Sequence, residues 1–586
     1  MALTRVLRAT VFVSLGCVGT VTPAGDLPSG GPNTVGSGGA AMTGVGGSVS
    51  GSANGTGGAG GATPSPVDTM MKTANPDLFA LVSKYFPNVA GGTPAKRMVR
   101  LTRTQLDVTT KTLLPSHFAA AALDTLPPDP LQTNYEYAAN LAFSPANFTP
   151  YTKWVDAVTA SVRANPATVI NCAATASACL QTEAKKFVAR AFRGTLSDAQ
   201  LTRYATLLTD GVGVVGLPDA VADLVNVTLT SPNYVYRDEV LTDAATLLLP
   251  AQRLQNLTYT LADAPPEAVG LSSVTPSSGL ATANDLQATV DRLLATPEAR
   301  AKLMRFFLAW LEVKEADQFT IAPTVFPEFT PALAVAMIDE AKAFLNAQLS
   351  KSAPVLKDVT QSTQSFVSDA LASLYGVAKP GTTKLTALDP SQRLGIFTLP
   401  AVIASHSGPD TTRLVKRGVF FTRKVMCMPL GQPPAGVNTA IPADAKGTER
   451  QKVESVTQAG TCVGCHAVIN PFGFMQENYD PLGRWRTTDN GFPIDAKIAV
   501  NFLDEGALAT DNPVDALKGF TGSLRFKQCF ARQLFRFYTG RDEGPADDPV
   551  LREMVFGFAN NDAQVLVQLL RVLATSASFS QRTETP

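Results

Sequence analysis

The sequence predicts a mostly α fold made of several consecutive helical domains, and three observations carry that prediction. Apolar residues recur at helical spacing. Between Asp285 and Ala295, Leu286, Val290, Leu293 and Leu294 fall on one stripe. Leu333, Met337, Ile338, Ala341 and Phe344 make a second stripe, and Phe526, Phe530, Leu534 and Phe537 a third. Helix-start signals recur as well: Thr296-Pro297, Thr330-Pro331 and Asp389-Pro390 each put a capping side chain before a proline at the first helical position. The first of these is expected to open a helix over 298–312. Strand signals are few and short, and no internal repeat points to a solenoid.

With 586 residues, 45% hydrophobic and 17% charged, the chain can bury a large core. Its start reads as an export signal, with Arg5 and Arg8 before an apolar stretch from Ala9 to Gly16. Ser14-Leu15-Gly16-Cys17 resembles a bacterial lipobox, so Cys17 is a candidate lipid attachment point. Residues 18–66, rich in Gly, Ser, Thr and Ala, cannot offset chain entropy by burying apolar surface and are expected to be a tether. Gly/Pro-rich breaks near 90–94, 376–382 and 429–446 divide the rest. The expected helical units are 67–165, 166–242, 243–378, 386–500 and 505–580. Beyond the leader, no stretch reaches the roughly 18 apolar residues of a membrane span.

The 49 basic and 49 acidic residues balance, and no dense Lys/Arg run is present. Without a basic excess there is no electrostatic warrant for nucleic-acid binding. The three histidines are His117, His406 and His466; the seven cysteines are 17, 172, 179, 427, 462, 465 and 529.

One motif joins the two rare types: Cys462-Val463-Gly464-Cys465-His466. Cys-x-x-Cys-His is the attachment signature of c-type haem. Two thiols reach the porphyrin edge from one turn of chain, and the adjacent imidazole lies beneath the iron. With so few histidines, a His directly after a given Cys-x-x-Cys arises by chance about once in 200. The fold class therefore includes a c-type haem-bearing segment near the C-terminus, with one covalent haem c as the expected cofactor. Two other occupants are consistent with the thiols: a redox dithiol, or half of a zinc site completed by Cys427 and His406. Setting aside Cys17 and the motif leaves four cysteines, an even number for an oxidising compartment. Cys172–Cys179 and Cys427–Cys529 are the expected disulfides.

The iron's second ligand has two leading candidates, Met475 and His406, with Met426 and Met428 behind them; a five-coordinate iron is the remaining option. Asn470-Pro471 is expected to present a backbone carbonyl to the ring N–H of His466. Arg484, Trp485 and Arg486 are candidates to meet the haem propionates, and Phe472 and Phe474 to line the haem edge.

From about 97 to 580 the chain resembles the multi-domain haem proteins of planctomycetes and myxobacteria, built from consecutive domains of unknown function. The resemblance rests on ordered segments: Arg100-Leu101-Thr102-Arg103 (departing from the family pattern at Gln105 and Leu106), Phe187-Val188-Ala189-Arg190-Ala191-Phe192-Arg193, and Leu229 to Arg237. The match is strongest from Val415 through Cys427 and the haem motif to Asn470-Pro471-Phe472-Gly473-Phe474, Glu477 to Asp480 and Gly483 to Arg486. The family usually has Asp where Asn470 stands. Cys529 to Gln533 with Gly540-Arg541 resembles its last domain. The resemblance implies haem and export, and no substrate. The expected role is electron transfer with a redox partner protein in the periplasm, outer membrane or cell surface, with membrane contact only through the lipid. A haem enzyme of peroxidase or oxygenase type, or a surface binding protein, is the alternative.

Overall fold

The computed structural model describes residues 65–583, apart from 118–122, 124–125, 133–134, 137–140, 241–245, 272–279, 432–440, 443–444, 459, 504–505 and 562–565. The expected export signal, Cys17 and nearly all of the tether lie outside the described residues.

The fold is mostly helical. Its long elements are α1 (Pro66–Ala74), α2 (Pro76–Tyr85), α3 (Arg103–Leu113), α4 (Pro145–Ala164), α5 (Ser177–Ala191), α6 (Asp198–Val215) and α7 (Leu217–Thr230). They continue as α8 (Pro250–Ala262), α9 (Ala283–Leu294), α10 (Pro297–Trp310), α11 (Pro331–Leu349), α12 (Pro400–Ser405) and α13 (Leu414–Phe420). The last are α14 (Glu449–Thr457), α15 (Val463–Phe474), α16 (Pro513–Gly522), α17 (Leu524–Thr539), α18 (Asp548–Asn560) and α19 (Leu566–Thr575). Among the described residues, strands form two-stranded antiparallel pairs: β1 (Met98–Arg100) with β2 (Tyr236–Asp238), β3 (Gln364–Val367) with β4 (Lys384–Ala387), and β5 (Ile498–Leu503) with β6 (Gly506–Thr510) are the longer ones. Among the described residues, no helix is long and apolar enough to cross a membrane.

Helices start where capping chemistry places them. The Thr296 hydroxyl accepts from Ala299 N–H at 3.2 Å to open α10, and Thr330 accepts from Leu333 N–H at 3.1 Å to open α11. Ser65 and Asn75 do the same ahead of Pro66 and Pro76. Helix α10 stops at Trp310, two residues short of the expected end, and Glu312 takes a left-handed backbone conformation, φ 52°. Asp389-Pro390 departs further and opens no helix. Asp389 Oδ1 instead accepts from the Ser391 N–H (2.9 Å) and hydroxyl (2.6 Å), closing a turn. Four residues on, the buried Arg393 guanidinium donates to the carbonyls of Thr398 and Leu374, which pulls the chain inward before a helix can propagate.

Two cores are built. One lies within 101–259, where α3 to α7 surround Leu106, Trp154, Val188, Val225 and Tyr234. It joins stretches that the sequence separates at 165/166. The other runs from Val82 to Phe579 and has an aromatic centre of Phe306, Trp310, Phe397, Phe526 and Phe530. Each such ring contributes about 1.5–3 kcal/mol by burial, and the Trp310 indole N–H is satisfied by the Lys424 carbonyl at 2.8 Å. Helix α2 joins this second core through Val82, and α1 is tied to α18 by buried Asp68, which pairs with buried Arg552 (2.8 Å). Near the C-terminus, Arg582 pairs with buried Glu239, also at 2.8 Å.

Both expected disulfides are present. Cys172–Cys179 ties the loop ahead of α5 to that helix's first turn, with Cα atoms 5.9 Å apart. Cys427–Cys529 ties the segment after α13 to the middle of α17 across 102 residues.

Candidate functional site

The Cys-x-x-Cys-His motif forms the first turn of α15, after a short 3-10 turn over Gly460–Cys462. Cys462 and Cys465 are free thiols, both partly exposed, and the only free ones among the described residues. His466 follows within the same turn, four residues after Cys462, so the two share a helix face.

The imidazole is held by a directional relay. Thr457 at the end of α14 donates its hydroxyl proton to the Val453 carbonyl, 2.8 Å away. Its oxygen is therefore an acceptor for Asn470 Nδ2, at 3.0 Å. That orients the Asn470 amide with Oδ1 toward His466 Nδ1, 2.8 Å away. A carbonyl oxygen accepts only, so Nδ1 carries a proton, and in the neutral ring the lone pair is therefore on Nε2. This corrects the expected donor pattern: the side-chain oxygen of Asn470, rather than a backbone carbonyl, orients the ring. Helix geometry explains it, since i and i+4 side chains meet on one face while backbone carbonyls point along the axis.

Two glycines let α15 lie this close to α13. A Cβ on Gly473 would collide with the Leu414 carbonyl, and one on Gly418 with the Ile469 carbonyl. Backbone meets backbone at that crossing, as only a residue without a side chain permits.

Beside His466 is an open depression of about 250 Å³, walled by Val463, Ala467, Pro471 and Phe474 of α15 and by Ile498 and Ala499 of β5. Its rim carries Lys497 and Arg450. The Arg450 guanidinium donates to the carbonyls of Asp495 (2.6 Å) and Lys497 (2.7 Å) and to Glu454 (3.0 Å), and covers the Phe474 ring at 4.8 Å. Sequence reasoning passed over Arg450; its sole signal was the pairing of Arg450 with Glu454 at i,i+4.

Of the other sequence candidates, Pro471 and Phe474 come to this depression. Phe472 is fully buried against Phe421 and Phe520. Arg484 binds Asp480 (3.0 Å) and Glu328 (2.7 Å), Trp485 sits edge-on to Tyr479, and Arg486 binds Asp489 (2.6 Å). These three brace the turn after α15 and line no part of the depression. Met475 caps α15 and is buried in the large core. His406 is buried at the end of α12, its ring stacked on Phe420 with centroids 3.9 Å apart. Its Nε2 lies 2.9 Å from the Leu311 carbonyl, to which it donates. Burial lowers its pKa to about 3, so the ring is neutral. It faces a different and larger cleft, of about 580 Å³.

The four zinc candidates are not brought together. Cys427 is in a disulfide and His406 is engaged with Leu311. No three His, Cys, Asp or Glu side chains converge to hold a metal among the described residues. The donor set at α15 fits covalent haem instead: two unpaired thiols, one imidazole with a fixed tautomer, and an apolar wall beside it.

Fold and site thus define a mostly helical protein presenting a Cys-x-x-Cys-His helix over an open depression. Comparison with known families finds two matches: residues 250–377 match PSD4, described as a protein of unknown function (DUF1592), and residues 393–489 match PSCyt3, described as a protein of unknown function (DUF1588). The two are consecutive and fall within the stretches 243–378 and 386–500 that the sequence separates; α15 lies in the second. No curated protein and no solved structure matches the chain.

Proposed function

We propose that the chain is an exported c-type cytochrome, carrying one covalent haem c and passing single electrons to a redox partner protein at the cell envelope. One observation carries this reading: the free thiols sit on the same turn as an imidazole whose Nδ1 is locked by Asn470. Cys462 and Cys465 would each form a thioether by adding Sγ–H across a vinyl group, and His466 Nε2 would be the axial ligand. Bound there, the haem supplies a one-electron couple whose potential follows its ligands and surroundings. The chain's own part is to hold His466 in one tautomer through Asn470 and Thr457, and to cover one edge with Pro471 and Phe474. Arg450 and Lys497 at the rim offer cationic groups for propionates. Export with lipid attachment at Cys17 would place the protein in the periplasm or at the outer membrane or cell surface, with the Gly-rich stretch as its tether.

A second reading, a haem enzyme, is favoured by a separate observation. Neither Met475 nor His406 lines the depression, and no other thioether or imidazole does so among the described residues. An open iron position is what peroxidase or oxygenase chemistry requires. Haem staining of the exported protein under denaturing conditions tests the shared premise: covalent stain in the native chain and none in the double variant Cys462→Ala/Cys465→Ala supports it, and stain surviving in that variant overturns it. The visible spectrum then separates the readings. Low-spin haem indifferent to carbon monoxide supports the electron carrier, and high-spin haem that binds it supports the enzyme.

A further inference from the structure

The larger cleft has no part in the haem reading, yet it is the more elaborately built of the two concavities. Its volume of about 580 Å³ is in the usual range for a small-molecule site. Its walls come from α3, β2, the end of α8, α10, the end of α12 and the end of α17, so stretches spread over more than 400 residues of sequence converge on it.

At its base, Asp263 ends α8 in a left-handed conformation, φ 54°. Such backbone in a residue other than glycine costs about 1 kcal/mol or more and tends to persist at functional sites. Its carboxylate accepts from Lys302 Nζ (2.7 Å) and Gln105 Nε2 (2.8 Å), and also pairs with Arg305. One carboxylate between two cations leaves a positive excess, and Arg237 adds a third cation. Arg237 Nη1 donates to Asn256 Oδ1 at 2.8 Å, but its Nε–H has no acceptor among the described residues. The hydroxyl of Tyr538, also buried in the cleft wall, has no partner either. A buried donor left unsatisfied costs about 1–3 kcal/mol, so an incoming acceptor gains most here. Burial raises the pKa of Glu136, a second carboxylate of the lining, which weakens its opposition to an anion; Glu239, outside the lining, acts on Arg237 but is itself held between Arg97 and Arg582. The lining also includes Glu312, Glu315, Lys314 and Lys416; Lys416 Nζ donates to the Ser405 carbonyl (3.0 Å) and Glu312 pairs with Lys424 (3.5 Å), and the capacity left on these groups supplies acceptors and donors suited to hydroxyl groups.

We propose that this cleft binds a small sugar acid, its carboxylate drawn to the base by Arg237, Lys302 and Arg305 and its hydroxyls met by the Glu/Lys rim. The proposal needs nothing from the haem motif.

The probe is D-glucuronate, compared with D-glucose at matched ionic strength, by isothermal titration and thermal shift on the full exported protein. The pair differ in the carboxylate alone. The expected result is saturable glucuronate binding, with glucose weaker by about tenfold or more, as loss of a charge-assisted contact implies. Tyr538→Phe deletes only the orphan hydroxyl and is expected to weaken glucuronate about fivefold while the apo melting temperature rises, the unsatisfied donor being gone. Lys416→Ala, at the rim, should weaken it less, and serves if the first variant misfolds. Cys465→Ala should bind glucuronate like the native chain, so failure here and failure of the haem reading are told apart. No saturable binding, equal affinity for glucose, or variants indistinguishable from native overturns the proposal.

Discussion

The two concavities are made in opposite ways. The depression at α15 is local: thiols, imidazole and orienting amide all come from nine residues, Cys462 to Asn470, and helix periodicity alone brings them together. The larger cleft is assembled: Gln105, Arg237, Asp263, Lys302, His406 and Tyr538 are remote in sequence, and no short segment contains two of them. A local site survives much rearrangement elsewhere in the chain, whereas an assembled one depends on every long-range constraint around it. The contrast also separates two histidines. His466 keeps an available ring nitrogen, whereas His406 spends Nε2 on Leu311 and is buried.

The largest expected effect breaks the local site and leaves the assembled one intact. Replacing both thiols, Cys462→Ala with Cys465→Ala, should remove all covalent haem, read by stain, while far-UV circular dichroism and the melting transition of the haem-free chain stay native. Next in size is the constraint behind the cleft. Cys529→Ser opens the Cys427–Cys529 loop, closed over a separation of 102 residues, and the chain-entropy model puts the loss at about 4.7 kcal/mol. The guanidinium midpoint should fall accordingly, and by less for Cys179→Ser, whose loop spans a separation of only 7.

Gly473→Ala tests the crossing that seats α15. The added methyl meets the Leu414 backbone carbonyl, which cannot rotate away, so a loss of about 2–3 kcal/mol is expected by urea unfolding. Smallest is a pH effect at the cleft wall. Burial depresses the folded pKa of His406 from 6.5 to about 3. The unfolded chain therefore binds the extra proton first, and the stability held above pH 6.5 is lost as pH falls toward 3. At pH 5 that residue alone should remove about 2 kcal/mol relative to pH 7. In His406→Gln, whose amide can still donate to Leu311, the fall in urea midpoint between those pH values should be shallower.

Much of the helical scaffold was legible, because caps and stripes act within one or two turns. Thr296 and Thr330 open helices as expected, since a hydroxyl three residues from a free N–H needs no tertiary help. Asp389 has the same local chemistry and fails, because burial of Arg393 redirects the chain a turn later. The disulfides were legible from cysteine counting and spacing. The roles of Arg484 and Arg486 were not: an arginine near a motif in sequence goes to whichever carboxylate the fold brings nearest, here Asp480, Glu328 and Asp489. Gly473 and Gly418 likewise gave no sign in sequence that two backbones meet there.

By itself, the sequence determined the mostly helical class, the cysteine pairing and the grouping of Cys462, Cys465 and His466, because each depends on short-range geometry or on counting. Tertiary structure decided where His406 and Met475 go, which side-chain oxygen holds His466, and that a charged cleft exists at all. Those outcomes depend on which surfaces pack together, and packing is settled by the sum of many weak contacts that no single stretch of sequence contains.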